Sequence, residues 1–173
     1  MLVMRAIYLA GIVSFAVMGR WNAVLFNGVV FLGSLIIPYL GQKDERYRWL
    51  DVLVVLTFSL SLLPTYLDAW YTPQSDLAKL FTIDKLYHMV GGACLGIFGM
   101  ITFSKKVDEK LLFLIVVMFA LSVGAAWEVF EWILSILPAP LHSTSSGYAD
   151  SMIDLVADTI GATIVAIVMM YRR

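Results

Sequence analysis

The stretch GYADSMIDLVADTIGATIVAIVMMYRR, residues 147–173, sets three aspartates at the start of an apolar run long enough to cross a membrane. Asp150, Asp154 and Asp158 are four residues apart. In an α-helix they stack along one face over about 12 Å, at about 1.5 Å per residue. A carboxylate at mid-bilayer costs roughly 2.5–3.5 kcal/mol on insertion scales. Such a stripe needs a cation, a proton or water, so the chain reads as a helical membrane bundle with a polar site near one end of its last span.

The rest of the sequence agrees with that frame. Hydrophobic residues make up 61% of the chain and charged residues 14%, gathered in short clusters between apolar runs. This is the pattern of a polytopic membrane protein rather than of a soluble core. Runs near the 20-residue spanning length fall at about 3–19, 21–40, 51–70, 84–104, 111–131 and 150–171. The expected fold is all-α: a bundle of six transmembrane helices forming a single integral membrane domain over 1–173, with the polar site carried by residues 84–171, the last three spans. The first run, LVMRAIYLAGIVSFAVMG (2–19), follows the pattern of a signal peptide only in having Arg5 near an apolar stretch; no clear small-residue cleavage site follows, so it is read as a span. Cys94, the single cysteine, lies in an apolar run and reads as a small buried residue.

Basic residues set the expected orientation, because loops kept in the cytoplasm are enriched in Lys and Arg. Arg5, QKDERYR (42–48), SKKVDEK (104–110) and Arg172–Arg173 alternate as an even number of spans requires. Both termini are therefore expected in the cytoplasm. The opposite face keeps Arg20, Lys79 and Lys85 and holds most of the acidic residues, so the acidic face is the extracytoplasmic one. Pro138, Pro140 and the Ser/Thr run ending in Gly147 read as a loop able to act as a lid, and His142 within it as a solvated residue. Tyr66, Trp70, Tyr71, Trp127 and Trp132 read as interfacial anchors. Small residues gather in the last three spans, including the GxxxG of Gly92 and Gly96, which permits close approach of helix backbones.

Three pieces converge at similar depth. DKLYH opens the fourth span with Asp84 and His88, AWEVFEW closes the fifth with Glu128 and Glu131, and the aspartate stripe opens the sixth. Clustered carboxylates cannot all stay ionised in a membrane without a compensating metal or water. His88 adds a nitrogen to an oxygen set, a mixture suited to a divalent metal such as Zn, Mn or Fe, whereas Mg is content with oxygen alone. The expected ligands are His88, Glu128, Asp154 and Asp158, with Asp84 and Asp150 in a supporting layer or serving as helix caps. Glu131 and Glu128 are the candidate catalytic carboxylates, Glu131 as general base.

These same residues carry a resemblance. DKLYH (84–88), WEVFEW (127–132) and DLVADTIGA (154–162) are similar, in order and spacing, to elements of the VanZ-like and YjdF-like small integral membrane proteins. VanZ-like members often have Gln in the place of Glu131 and Asn in the place of Asp158, so the chain looks nearer the YjdF-like branch. What the resemblance implies is an envelope-associated membrane protein with a polar intramembrane site. Other classes lack their residues: GYADSMID (147–154) has half of the CDP-alcohol phosphotransferase motif without the preceding D-G-x-x-A-R. The Arg and paired His clusters of lipid phosphatases are missing, and no phosphate loop or basic patch suggests nucleic-acid binding.

Three functions are therefore expected in order. The first is a metal-dependent hydrolase or transferase in the cell membrane, acting on a lipid or lipid-linked envelope substrate. The second is a small cation or proton transporter using the same carboxylates, its path completed by a homodimer if one chain lacks it. The third is a metal-stapled interaction protein.

Overall fold

The computed structural model describes residues 2–41, 44–66, 82–138 and 147–172, and every regular element among them is an α-helix. In chain order these are α1 (Leu2–Val17), α2 (Trp21–Ser34), α3 (Ile36–Gly41), α4 (Arg46–Tyr66), α5 (Ile83–Phe103), α6 (Glu109–Ser135) and α7 (Tyr148–Tyr171). By length and composition, α5, α6 and α7 are able to cross a membrane, while α1 and α2 are apolar but shorter. At about 1.5 Å per residue, their 21, 27 and 24 residues reach about 32, 40 and 36 Å, against a hydrocarbon layer of about 30 Å. The chain forms two compact units, residues 1–69 with 130–145 and residues 70–129 with 146–173.

In the first unit, α1 turns into α2 through Gly19, whose φ of 73° suits a residue without Cβ, and Arg20 N–H closes the turn on Phe15 O at 2.9 Å. Tyr8, Ile12, Phe15, Ala23 and Leu62 form the core. The run expected as one span over 21–40 is divided at Leu35 into α2 and α3. Pro38 has no N–H to return to the Ser34 carbonyl four residues back. Arg5 Nη2 donates to that carbonyl at 3.3 Å instead, and its guanidinium pairs with Asp51 on α4, with Nη1 3.1 Å from Oδ2. Tyr8 adds a second buried tie, its hydroxyl donating to Asn27 Oδ1 at 3.0 Å.

In the second unit, α5 and α7 run parallel with backbones in contact. Gly92 lies against the Asp158 backbone, Gly161 against Met89 O and Ala93 N, and a Cβ at Gly96 would sit 3.1 Å from Ala162 Cα. Small residues at this spacing are what close helix packing in a membrane requires. The first part of α6 joins through Met100, Leu112, Val116 and Ala166, with Phe119 stacked on Phe98 at 5.9 Å between centroids. Cys94 is buried in α5.

On α7 the polarity is inverted relative to a soluble helix. Val156, Ile160, Ile164 and Ile167 are exposed along one face, while Asp154, Asp158, Ala162 and Ala166 are buried along the other. An apolar outside around a polar inside is stable only in an apolar solvent. Trp132 is exposed near the end of α6, as an interfacial ring would be. Trp70, Tyr71, His142, the Tyr66 side chain and most of the 138–147 loop lie outside the described residues.

Candidate acidic and histidine centre

The site is built at one end of the second unit, where α5 and α7 begin and α6 is near its end. Helical spacing places Asp84, Lys85 and His88 within one turn on α5, and Asp150, Asp154 and Asp158 in a column on α7. The parallel pairing of α5 and α7 brings these two columns face to face.

Lys85 is the hub. It is 5% exposed, and its Nζ lies 2.9 Å from Asp84 Oδ2, 2.6 Å from Asp150 Oδ1 and 2.6 Å from Asp154 Oδ1. His88 stands one turn deeper. Its Nδ1 is 3.3 Å from Asp158 Oδ2, and its Nε2 is 3.6 Å from Asp154 Oδ1 and 4.0 Å from both Asp84 Oδ1 and Glu128 Oε1. Glu128 arrives from α6, with the Ser151 side chain of α7 nearby. Asp158 owes its position to two glycines. Its backbone rests on Gly92, and a Cβ at Gly124 would collide with its Oδ2.

Carboxylates outnumber cations in this centre, and the polar groups are not all satisfied. Glu128 and Asp154 are 9% and 1% exposed, yet Glu128 Oε1 and Asp154 Oδ1 have no hydrogen-bond partner. Asp154 Oδ1 is at ion-pair distance from Lys85 without an aligned hydrogen bond. A buried acceptor left in this way costs about 1–3 kcal/mol, and more when charged. Both atoms face His88 Nε2 at 3.6–4.0 Å, too far for a hydrogen bond. That is close to the spacing of about 3.4 Å between ligands of one tetrahedral ion with bonds of about 2.1 Å. Asp84, His88 and Asp154 each offer an atom within 4.8 Å of the others. Among the described residues these three form a cluster of a size that could hold a single small cation, while Glu128 lies at its edge, 4.0 Å from His88 Nε2.

The geometry sorts the residues named from the sequence. Asp84, Glu128 and Asp154 face His88 Nε2, Asp158 faces Nδ1 on the other side of the ring, and Asp150 faces Lys85. Glu131 follows Glu128 by three residues on α6 and is partly exposed. Lys85 and Ser151 are the participants that sequence reasoning passes over. A lysine one residue inside the start of an apolar span reads as a topological signal, although its i,i+3 relation to His88 also puts it on the site's face.

Across its whole length, residues 1–173, the chain matches the family described as Predicted membrane protein (DUF2238), and it belongs to that family. No curated protein and no solved structure matches it. The chain is thus a helical integral membrane protein with an acidic and histidine centre among its long apolar helices.

Proposed function

We propose that this DUF2238 protein is a metal-dependent hydrolase or transferase of the cell membrane, acting on a lipid or lipid-linked envelope substrate from the extracytoplasmic side. The observation that carries the reading is that Glu128 Oε1, buried without a hydrogen-bond partner, and Asp154 Oδ1, whose ion-pair neighbour is Lys85, both face His88 Nε2 at 3.6–4.0 Å. Asp84, His88 and Asp154 would hold one divalent ion, with Glu128, 4.0 Å from His88 Nε2, completing the set. Zn, Mn or Fe suits the mixed nitrogen and oxygen donors.

Asp158 was expected among the ligands. Its place on Nδ1 supports a different part: an acceptor that fixes the ring so that Nε2 points at the ion, as carboxylates behind metal-bound histidines do. When bound, the ion would polarise a substrate acyl or phosphoryl oxygen and supply a deprotonated water near neutral pH. Glu131, one turn along α6 from Glu128, is the candidate general base. The acyl chains of the substrate would lie along the apolar outer faces of the helices.

The wider frame of the proposal is six spans with both termini in the cytoplasm, supported by the alternation of basic clusters, and kinship with VanZ-like and YjdF-like proteins, supported by the three motifs. A transport role is less favoured because the polar column ends at Asp158: beyond it, α7 offers only Thr159 and Thr163 before Tyr171. A site closed on one side suits a reaction better than a path.

The test is metal content by elemental mass spectrometry on detergent-purified protein. One ion per wild-type chain is expected, and none in Glu128→Ala or Asp154→Ala chains that keep their helix content. An ion retained in full by both variants, or none in wild type after incubation with Zn, Mn and Fe salts, would overturn the reading.

A further inference from the structure

We infer that Lys85 holds, with its own ammonium, the place of a second cation, so that a centre laid out for two positive charges takes only one metal ion. The inference rests on the metal reading above and adds the nuclearity of the site. The carboxylates divide between two loci. Asp84 turns Oδ1 toward His88 Nε2 at 4.0 Å and Oδ2 toward Lys85 Nζ at 2.9 Å. Asp154 presents Oδ1 to both, at 3.6 Å and 2.6 Å. These are two bridging carboxylates. Glu128 serves the His88 locus alone, and Asp150 serves the Lys85 locus alone.

Two bridging carboxylates with a terminal one on each side is the plan of a two-ion centre, whose metals stand about 3.5–4 Å apart. Here one locus is filled by the chain itself. Lys85 is 5% exposed, so its ammonium is fixed among carboxylates rather than shared with solvent. The other locus retains Glu128 Oε1, buried with no hydrogen-bond partner, beside the Asp154 oxygen shared with Lys85. A divalent ion entering the Lys85 locus would have to displace a buried ammonium held by three carboxylates. Lys85 is therefore the residue that sets the metal count.

Mn²⁺ is a suitable probe because two bridged Mn²⁺ ions give an exchange-coupled paramagnetic resonance spectrum, whereas one gives an isolated-ion signal. Wild type, Lys85→Ala and Asp150→Asn are purified in MnCl₂, Mn per chain is counted, and helix content is followed by circular dichroism. The expected counts are one in wild type, one in Asp150→Asn, and two with a coupled spectrum in Lys85→Ala. Lys85→Ala that folds only with Mn²⁺ present and carries two ions also supports the inference. One ion or none in folded Lys85→Ala overturns it and leaves the metal reading standing, as does loss of the ion from Asp150→Asn. A Lys85→Ala chain that fails to fold even in Mn²⁺ overturns it as well, because an ion at that locus should replace the missing charge. A wild type that binds no Mn²⁺, Zn²⁺ or Fe²⁺ removes the metal reading itself.

Discussion

At the scale of single residues, the informative groups are those whose two ends face different partners. His88 is held through Nδ1 by Asp158 at 3.3 Å while Nε2 faces three carboxylates. Asp158→Asn keeps the shape and an acceptor but removes the charge behind the ring. Metal affinity should fall about 10- to 100-fold, the usual effect of altering such a partner. Competition against a chromogenic chelator measures this. Complete loss of the ion would instead make Asp158 a direct ligand. The Arg5–Asp51 pair offers a parallel case in the first unit, with side chains 12% and 7% exposed. Arg5→Met leaves Asp51 buried and uncompensated, which should cost about 3–5 kcal/mol, while Arg5→Met with Asp51→Leu should recover most of it. Detergent-phase thermal unfolding of the two variants decides, and equal losses would mean that the pair contributes no coupling. His88, Asp154 and Asp158 stand out in the sequence because ionisable groups within apolar runs are costly. Lys85 does not, because a lysine near a span end also has an inexpensive position, its head reaching the interface.

At the scale of helices, the parallel contact of α5 with α7 is what brings the two polar columns together, and it depends on residues without side-chain bulk. Gly161 packs against Met89 O, so a methyl there must push the helices apart. Gly161→Ala should therefore lower the thermal midpoint strongly and weaken metal binding with it. Gly28→Ala is the control: nothing lies within 4 Å of a Cβ built there, and alanine in a helix gains about 1 kcal/mol of propensity. Fluorescence-detected size-exclusion after heating separates the two, and a neutral Gly161→Ala would show that the backbones do not approach so closely. The helical character of the chain is legible in the length of its apolar runs, and the small residues of the last three runs foretell tight packing. The division between α2 and α3 is less legible. Pro38 is visible, but an interior proline kinks one helix and is absorbed by another, depending on what receives the freed carbonyl. Here Arg5, distant in sequence, receives that of Ser34.

At the scale of the whole molecule, the side of the membrane on which the acidic centre lies decides which substrates it meets. In the proposed topology the basic clusters at 43–48, 105–110 and 172–173, with Arg5, face the cytoplasm. The start of α7 and its aspartates then lie on the other side. Two exposed positions test this directly: Tyr148 at the start of α7 is 80% exposed, and Lys106 sits on the exposed turn between α5 and α6. With Cys94 replaced by Ala, Tyr148→Cys should react with a membrane-impermeant maleimide in intact cells, and Lys106→Cys only after permeabilisation. The reverse pattern would put the centre on the cytoplasmic side and remove the envelope substrate, though not the metal. Labelling of both positions in intact cells would mean that α6 does not separate two aqueous faces. In that case 27 residues of high hydropathy would have to lie along the bilayer, with Glu128 drawn toward its surface. The expected pattern instead leaves a centre buried among α5, α6 and α7 and open only outward, where a lipid headgroup and water can reach it together.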